Sequence, residues 1–205
     1  MLFRSHELQT PLAVCMNKLE LLSEHPDCTE DQLKEIAGLH QALNGIIRLN
    51  KSLLLLSRID NKQFPETRDI CLNHLIHKIL EGINDIYERK ALHLRVSEKE
   101  SLVCTMNESL ATTLITNLIK NAYVHNYEKG DIGITISRRM LTIANTGIDK
   151  TLDKELLFAR FASQSKQQES TGLGLAIVKS IVDLYSIRID YQYANGMHTF
   201  TLLFY

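Results

Sequence analysis

The sequence holds no apolar run long enough to cross a membrane. Its purest stretch, "LLLL" at 53 to 56, falls far short of the roughly 20 residues a bilayer requires, and no signal peptide is visible, so a soluble chain is expected. Cysteine is scarce in any useful arrangement. Cys15, Cys28, Cys71 and Cys104 stand far apart with no CxxC spacing, which argues against a zinc knuckle or a redox pair and for reduced thiols in a cytosolic compartment. An excess of one charge is missing too. With 23 Lys and Arg against 24 Asp and Glu, the net charge of −1 offers no basic footprint for nucleic acid and no polybasic patch for anionic lipid. No internal repeat or low-complexity tract is present.

What remains is an ordinary globular composition, 44% hydrophobic and 23% charged, over 205 residues. That length has room for one ordinary domain and a smaller one. In the first segment Leu8, Leu12, Cys15, Leu19 and Leu22 recur at the period of an amphipathic helix, a pattern already under way at Leu2, so Met1 reads as a cut edge. His6 falls on the opposite, outward side, with Thr10 one turn above it, and Pro11 is expected to bend or loosen the helix just beyond. "SEHPDCTED" reads as a turn, with Thr29 and an acidic first turn starting the next helix.

That second helix, about 30 to 61, carries two adjacent apolar stripes. One holds Leu33, Ile36, His40, Leu43, Ile47 and Leu54, the other Leu39, Ala42, Ile46, Leu49, Leu53 and Leu56. Two helices cannot cover so wide a face, so a homodimer of hairpins forming a four-helix bundle is the expected solution. Pro65 in "DNKQFPET" breaks the pattern and places a domain boundary near 61 to 66, dividing the chain into 1–62 and 63–205. Beyond it, helical patterns at about 73 to 89, 107 to 126 and 172 to 185 alternate with the strand-like runs "LHLRVS", "LVCTM", "IGITIS", "LTIANT", "RIDYQY" and "HTFTLLFY". Hairpins are signalled at "SRRM" and at Asn195-Gly196, the latter suited to a type I′ turn. These elements predict a two-layer α/β sandwich with a mixed sheet, hence an α+β chain.

Three stretches of the second part offer chemistry. "SLATTLITNLIKNAYVHN" aligns Asn117, Asn121 and His125 on one side of a helix whose other side carries Leu110, Leu114 and Leu118. Such a row suits a solvated face, or an amide oxygen from Asn121 offered to magnesium, a hard cation that prefers oxygen. "IANTGID" ends a strand with Asn145 and Gly147, which serves turn chemistry or an acceptor for an adenine amino group. In "STGLGLAIVKSIV", Gly172 and Gly174 precede a helix, so bare backbone amides can approach phosphate oxygens closely. Between Gly147 and Gly172 lies a long polar segment ending "QSKQQEST" and anchored by Phe158 and Phe161, the length of a lid.

Taken in order, "SHELQTPL", "NLIKNAYVH", "IANTGI", "LFARF" and "TGLGLAIVK" resemble the phosphoacceptor, N, G1, F and G2 boxes of the sensor histidine kinases of two-component systems. The resemblance spans nearly the whole chain. It implies a dimerising helical hairpin followed by a Bergerat-type ATP-binding domain, with ATP and Mg2+ as ligands. By the same resemblance His6 attacks the γ-phosphate of ATP, and the phosphoryl group passes to an aspartate on the receiver domain of a response regulator. Glu7 orients the ring or takes its proton, and Thr10 positions a water that removes phosphate from the regulator. Asn117 and Asn121 serve magnesium and triphosphate, Asn145 and Gly147 the adenine, Phe161 belongs to the F box, and Gly172, Leu173, Gly174 and Leu175 close on the phosphates. Lys120 and Lys166 are further phosphate partners. A cytoplasmic location follows, with a membrane reached only through an upstream sensor segment.

The chain departs from the family pattern at Asn145, where aspartate is usual, at Asp149, where the second G1 glycine is usual, at Gln9 for arginine and at Val124 for lysine. An amide replacing a carboxylate gives up a charge-assisted hydrogen bond, so ATP binding weakened by about 1 kcal/mol is expected. His125 is expected to take over a phosphate contact from the missing lysine. Asn145 and Asp149 also motivate an alternative, a degenerate nucleotide module acting as phosphatase or scaffold. An ATP-gated conformational machine of the gyrase, mismatch-repair or heat-shock type shares the nucleotide fold, but it would lack an acceptor helix like residues 1–24.

Overall fold

The computed structural model describes residues 6–161 and 172–205, without the side chains of residues 6–9, 84 and 85. Helices α1 (His6–Ser23) and α2 (Glu30–Asp60) pair as a hairpin, and α1 continues past Pro11. The start of α2 is fixed by a reciprocal cap. Thr29 Oγ1 accepts the Gln32 amide at 3.3 Å while Gln32 Oε1 accepts the Thr29 amide at 2.9 Å. Along α2, Leu39, Ile46 and Leu53 recur at steps of seven yet stay 54%, 50% and 37% exposed, so a single hairpin leaves this stripe uncovered.

The last turn of α2 has another destination. Leu56 and Ile59 are buried in the core of the second part, where α2 meets the helix Gly174–Leu184, and the Asp60 carboxylate pairs with Arg160 at 2.9 Å. The apolar pattern of α2 thus serves two cores in succession, which helical period alone does not distinguish.

The second part is built on a five-stranded sheet of β2 (His93–Glu98), β4 (Asp131–Ser137), β5 (Met140–Thr146), β7 (Met197–Leu203) and β6 (Arg188–Ala194), in the order β2-β4-β5-β7-β6. Only β2 and β4 run parallel, so the sheet is mixed, as the sequence pattern predicts. Helices α3 (Leu72–Tyr87), α4 (Glu108–Val124) and α6 (Gly174–Leu184) form the second layer. Two short elements escape the sequence reading. They are β1 (Arg68–Cys71), which pairs antiparallel with β3 (Val103–Met106), and the single turn α5 (Lys154–Leu157).

Asn195 and Gly196 both have positive φ, 52° and 75°, as a type I′ turn demands, and close the β6–β7 hairpin. The alternation of strand residues sends Ile132, Ile134, Ile136, Leu141, Ile143, Phe200 and Leu202 into one core with Leu110, Leu114 and Leu118 of α4 and Val178 and Ile181 of α6. Two of these inward rows end on polar residues. Asn145 continues the row of Leu141 and Ile143, His198 that of Phe200 and Leu202, and the two sit opposite each other in register.

Candidate active site

The acceptor segment occupies the first turns of α1, where the backbone of His6 and Glu7 is helical and Thr10 is exposed. The side chains of His6 and Glu7 lie outside the described residues, as does Lys166.

The remaining site residues come from α4, the end of β5 and the start of α6. Asn107 opens α4 by accepting the amides of Ser109 and Leu110 at 3.0 and 3.3 Å. The apolar flank of that helix enters the core, leaving Asn117 and Asn121 half-buried on the other side. Asn117 Nδ2 donates to the Thr113 carbonyl at 2.8 Å, which fixes the amide and leaves its oxygen turned towards α6. A Cβ on Gly174 would stand 2.9 Å from Asn117 Oδ1, so the N-box and G2-box residues are in close approach across the gap between α4 and α6. Lys120 is exposed on the same helix.

At the other end of α4, His125 takes the C-cap position, and Lys90 satisfies the open carbonyls there. Its Nζ donates to Tyr123, Val124 and Asn126 oxygens, each at 2.9 Å. The His125 ring keeps exposed surface, yet the protein around it, and then Lys90 and His198, hold its pKa below the ordinary histidine value. A neutral ring can donate one hydrogen bond but brings no charge.

Asn145, at 2% exposure, donates through Nδ2 to the Thr146 carbonyl at 2.8 Å, and among the described residues its oxygen has no hydrogen-bond partner. Gly147 follows in a confined place, because a Cβ there would meet the His125 carbonyl and the His198 ring, each at 3.0 Å. Further along, Phe161 adopts a positive φ of 65° and its amide donates to Gly172 O at 3.0 Å, so the F and G2 boxes meet. Gly172 itself has φ 66°, a conformation that suits glycine. Gly174 is the first residue of α6 and Leu175 is half-buried, whereas Leu173 is fully buried and its side chain belongs to the core.

Two groups of residues shape this site without having been singled out in the sequence. Thr146 Oγ1 donates to Asn126 Oδ1 at 2.6 Å and accepts the Asp131 amide at 2.8 Å, while Asn126 Nδ2 donates to Asp131 O at 3.1 Å. The knot closes the loop between α4 and β4 beside the G1 box. The second group is His198 with Tyr191 and Tyr193, and its signal was a histidine in the inward row of "MHTFTLL".

Both parts of the chain resemble known proteins. Residues 106–204 match the family described as histidine kinase-, DNA gyrase B-, and HSP90-like ATPase, and residues 5–62 match the His Kinase A (phospho-acceptor) domain. The heme sensor protein HssS of Staphylococcus saprophyticus is 33% identical over 98% of this chain and 45% of its own length. The sensor histidine kinase HprS of Escherichia coli is 28% identical over 97% of this chain and 45% of its length. The chain therefore spans under half the length of these relatives. Among solved structures, full-length ShkA in complex with AMPPNP matches at TM-score 0.74 and 17% identity, covering 98% of this chain and 45% of that one. The Acinetobacter baumannii histidine kinase AdeS matches at TM-score 0.67 and 21% identity, over 96% of this chain and 95% of that one. These two likenesses concern the fold.

Fold and site define a phospho-acceptor hairpin joined to an ATPase domain of the kinase, gyrase and chaperone type. The chain belongs to the histidine kinases, joining their phospho-acceptor domain to their ATPase domain.

Proposed function

We propose that this chain is the kinase core of a two-component sensor. It phosphorylates itself on His6 from ATP and passes the group to an aspartate on a response regulator's receiver domain. The observation that carries the proposal is the convergence of Asn117 on Gly174, with the oxygen of buried Asn145, unpartnered among the described residues, beside Gly147. The first arrangement suits phosphates at the N-terminus of α6, the second an adenine amino group. ShkA, a relative in fold, was solved with an ATP analogue, which accords with this use of the site.

In the reaction a ring nitrogen of His6 forms a bond to the γ-phosphorus as the bond to the β-phosphate oxygen breaks and ADP leaves. Glu7 orients the imidazole and takes the proton, so that a neutral nitrogen faces the phosphorus. Asn121 and Asn117 would hold the metal and triphosphate side, Asn145 and Gly147 the adenine, and Gly172, Leu173, Gly174 and Leu175 the phosphates, with Phe161 beside Gly172. Magnesium bound there would neutralise phosphate charge, the main requirement of phosphoryl transfer. Thr10 serves the reverse task, positioning water to dephosphorylate the regulator.

We divide the molecule into a dimerising hairpin, 1–62, and a catalytic ATP-binding domain, 63–205. The uncovered stripe of Leu39, Ile46 and Leu53 supports a homodimer. The family setting is the cytoplasmic side of a membrane-anchored sensor. Among the described residues no helix is long and apolar enough to cross a membrane.

The test is transfer. Chain labelled with ATP and magnesium, freed of nucleotide and mixed with a receiver domain, is expected to pass its label to that domain. A chain that takes no label yet strips phosphate from the regulator would favour the alternative, a phosphatase or scaffold, for which Asn145 and Asp149 are the sequence evidence.

A further inference from the structure

Three side chains of the β6–β7 hairpin converge on the short segment 148–152 that follows Gly147. His198 Nε2 lies 2.8 Å from the Ile148 carbonyl, and a carbonyl only accepts, so Nε2 carries the proton. Nδ1 is then the acceptor, taking the Tyr191 hydroxyl proton at 2.7 Å. That same hydroxyl accepts the Leu152 amide at 3.2 Å. Tyr193 donates to Asp149 Oδ1, and this bond to a carboxylate keeps the phenol pKa above its ordinary value, so the donor stays protonated. The rings support one another, with His198 centred 4.7 Å from Tyr193 and 6.0 Å from Tyr191.

Besides these ties, the segment is anchored at its far end, where Leu152 packs against the core. It belongs to no strand or helix, and Ile148 is 58% exposed. Yet it continues directly from Asn145 and Gly147, and the His198 ring that grips Ile148 also walls in Gly147. Asp149, where the resembled pattern has glycine, is the anchor of one of the three ties.

We propose that His198, Tyr191 and Tyr193 are positioning residues that pin segment 148–152 as the adenine-side wall of the nucleotide site, with Asp149 serving as the anchor for Tyr193. This rests on the ATP-site reading above. The ties fix the exit of the chain from Gly147, and with it the direction of the Asn145 oxygen and the backbone that an adenine ring would face. A wall built from an unpaired segment loses its shape at low cost once its ties are cut.

The experiment uses the whole chain with Tyr193→Phe, Asp149→Ala, their double variant, Asp149→Asn and His198→Phe. ATP dissociation constants are measured by calorimetry, amide exchange over 148–152 by mass spectrometry, and urea midpoints alongside. Tyr193→Phe and Asp149→Ala are each expected to weaken ATP binding about fivefold, the worth of one hydrogen bond, with the double variant no weaker than either. Exchange should quicken while the urea midpoint stays put, and Asp149→Asn, which keeps an acceptor oxygen, should bind as the wild type does. His198→Phe keeps ring volume but loses two bonds and should weaken binding further. If it fails to fold, the exposed Tyr193–Asp149 tie still decides. Faster exchange with unchanged ATP affinity would overturn the proposal, as would losses that add and track the urea midpoint. A wild-type chain that binds no ATP would instead overturn the nucleotide reading, and this inference with it.

Discussion

Asn117 Oδ1 stands 2.9 Å from where a Cβ on Gly174 would lie, so the middle of α4 and the first residue of α6 approach as closely as a glycine allows. This approach brings two stretches of sequence more than fifty residues apart to one place. The Asn117 amide is already committed to Thr113 O at 2.8 Å, and a methyl group on residue 174 would displace it. Gly174→Ala is expected to weaken ATP binding by about 1 kcal/mol, roughly fivefold, with little change in unfolding free energy. Calorimetric titration with ATP and magnesium, beside a urea melt, checks both halves.

Gly130 is confined more severely. An added Cβ would fall 2.0 Å from Asn126 Oδ1 and 2.5 Å from Thr146 Oγ1, inside the knot that closes the loop before β4. Gly130→Ala must break buried hydrogen bonds or shift backbone, at a cost of about 3 kcal/mol. The urea midpoint should fall accordingly, and an unchanged midpoint would show the knot to be pliable.

Much of the fold was legible, and the reasons are local. The seven-residue recurrence of Leu39, Ile46 and Leu53, the Thr29 start and the Asn195-Gly196 turn are each written in a few adjacent residues. Strand β1 was not legible, because the four residues "RDIC" show no alternation and gain their strand character only from pairing with Val103–Met106. Leu56 fits the bundle stripe by period, yet it is buried with α6. The site residues announced themselves by type and order, whereas the role of His198 depends on the register that sets it opposite Asn145.

Asn145 illustrates the same limit. Sequence alone suggests that Asn145→Asp would strengthen the adenine contact. In the structure its amide donates to Thr146 O from a position only 2% exposed, a bond that a carboxylate cannot make. Asn145→Asp is therefore expected to cost about 1–3 kcal/mol of stability at pH 7. The cost should shrink on acidification, because a protonated acid can donate again. Urea melts at pH 7 and pH 5 compare the two forms, and equal stability of variant and wild type at pH 7 would contradict the assignment.

His125 sets a pH dependence of its own. Its folded pKa lies below the ordinary value through burial first, then Lys90 and His198. As pH falls below about 6.5 the unfolded chain takes up this proton before the folded one does, so stability is lost in the window between the ordinary value and the lower folded one. The wild type should lose more stability between pH 7.5 and 5.5 than His125→Gln. Parallel losses in the two proteins would contradict the shift.

The central claim is phosphoryl transfer to His6. The most direct measurement incubates the chain with ATP and magnesium beside His6→Gln, then locates any phosphate by mass spectrometry and tests its stability in acid and alkali. The account predicts an acid-labile, alkali-stable phosphate on His6 that disappears in the variant. No phosphate at saturating ATP, or phosphate that persists in His6→Gln, would contradict it.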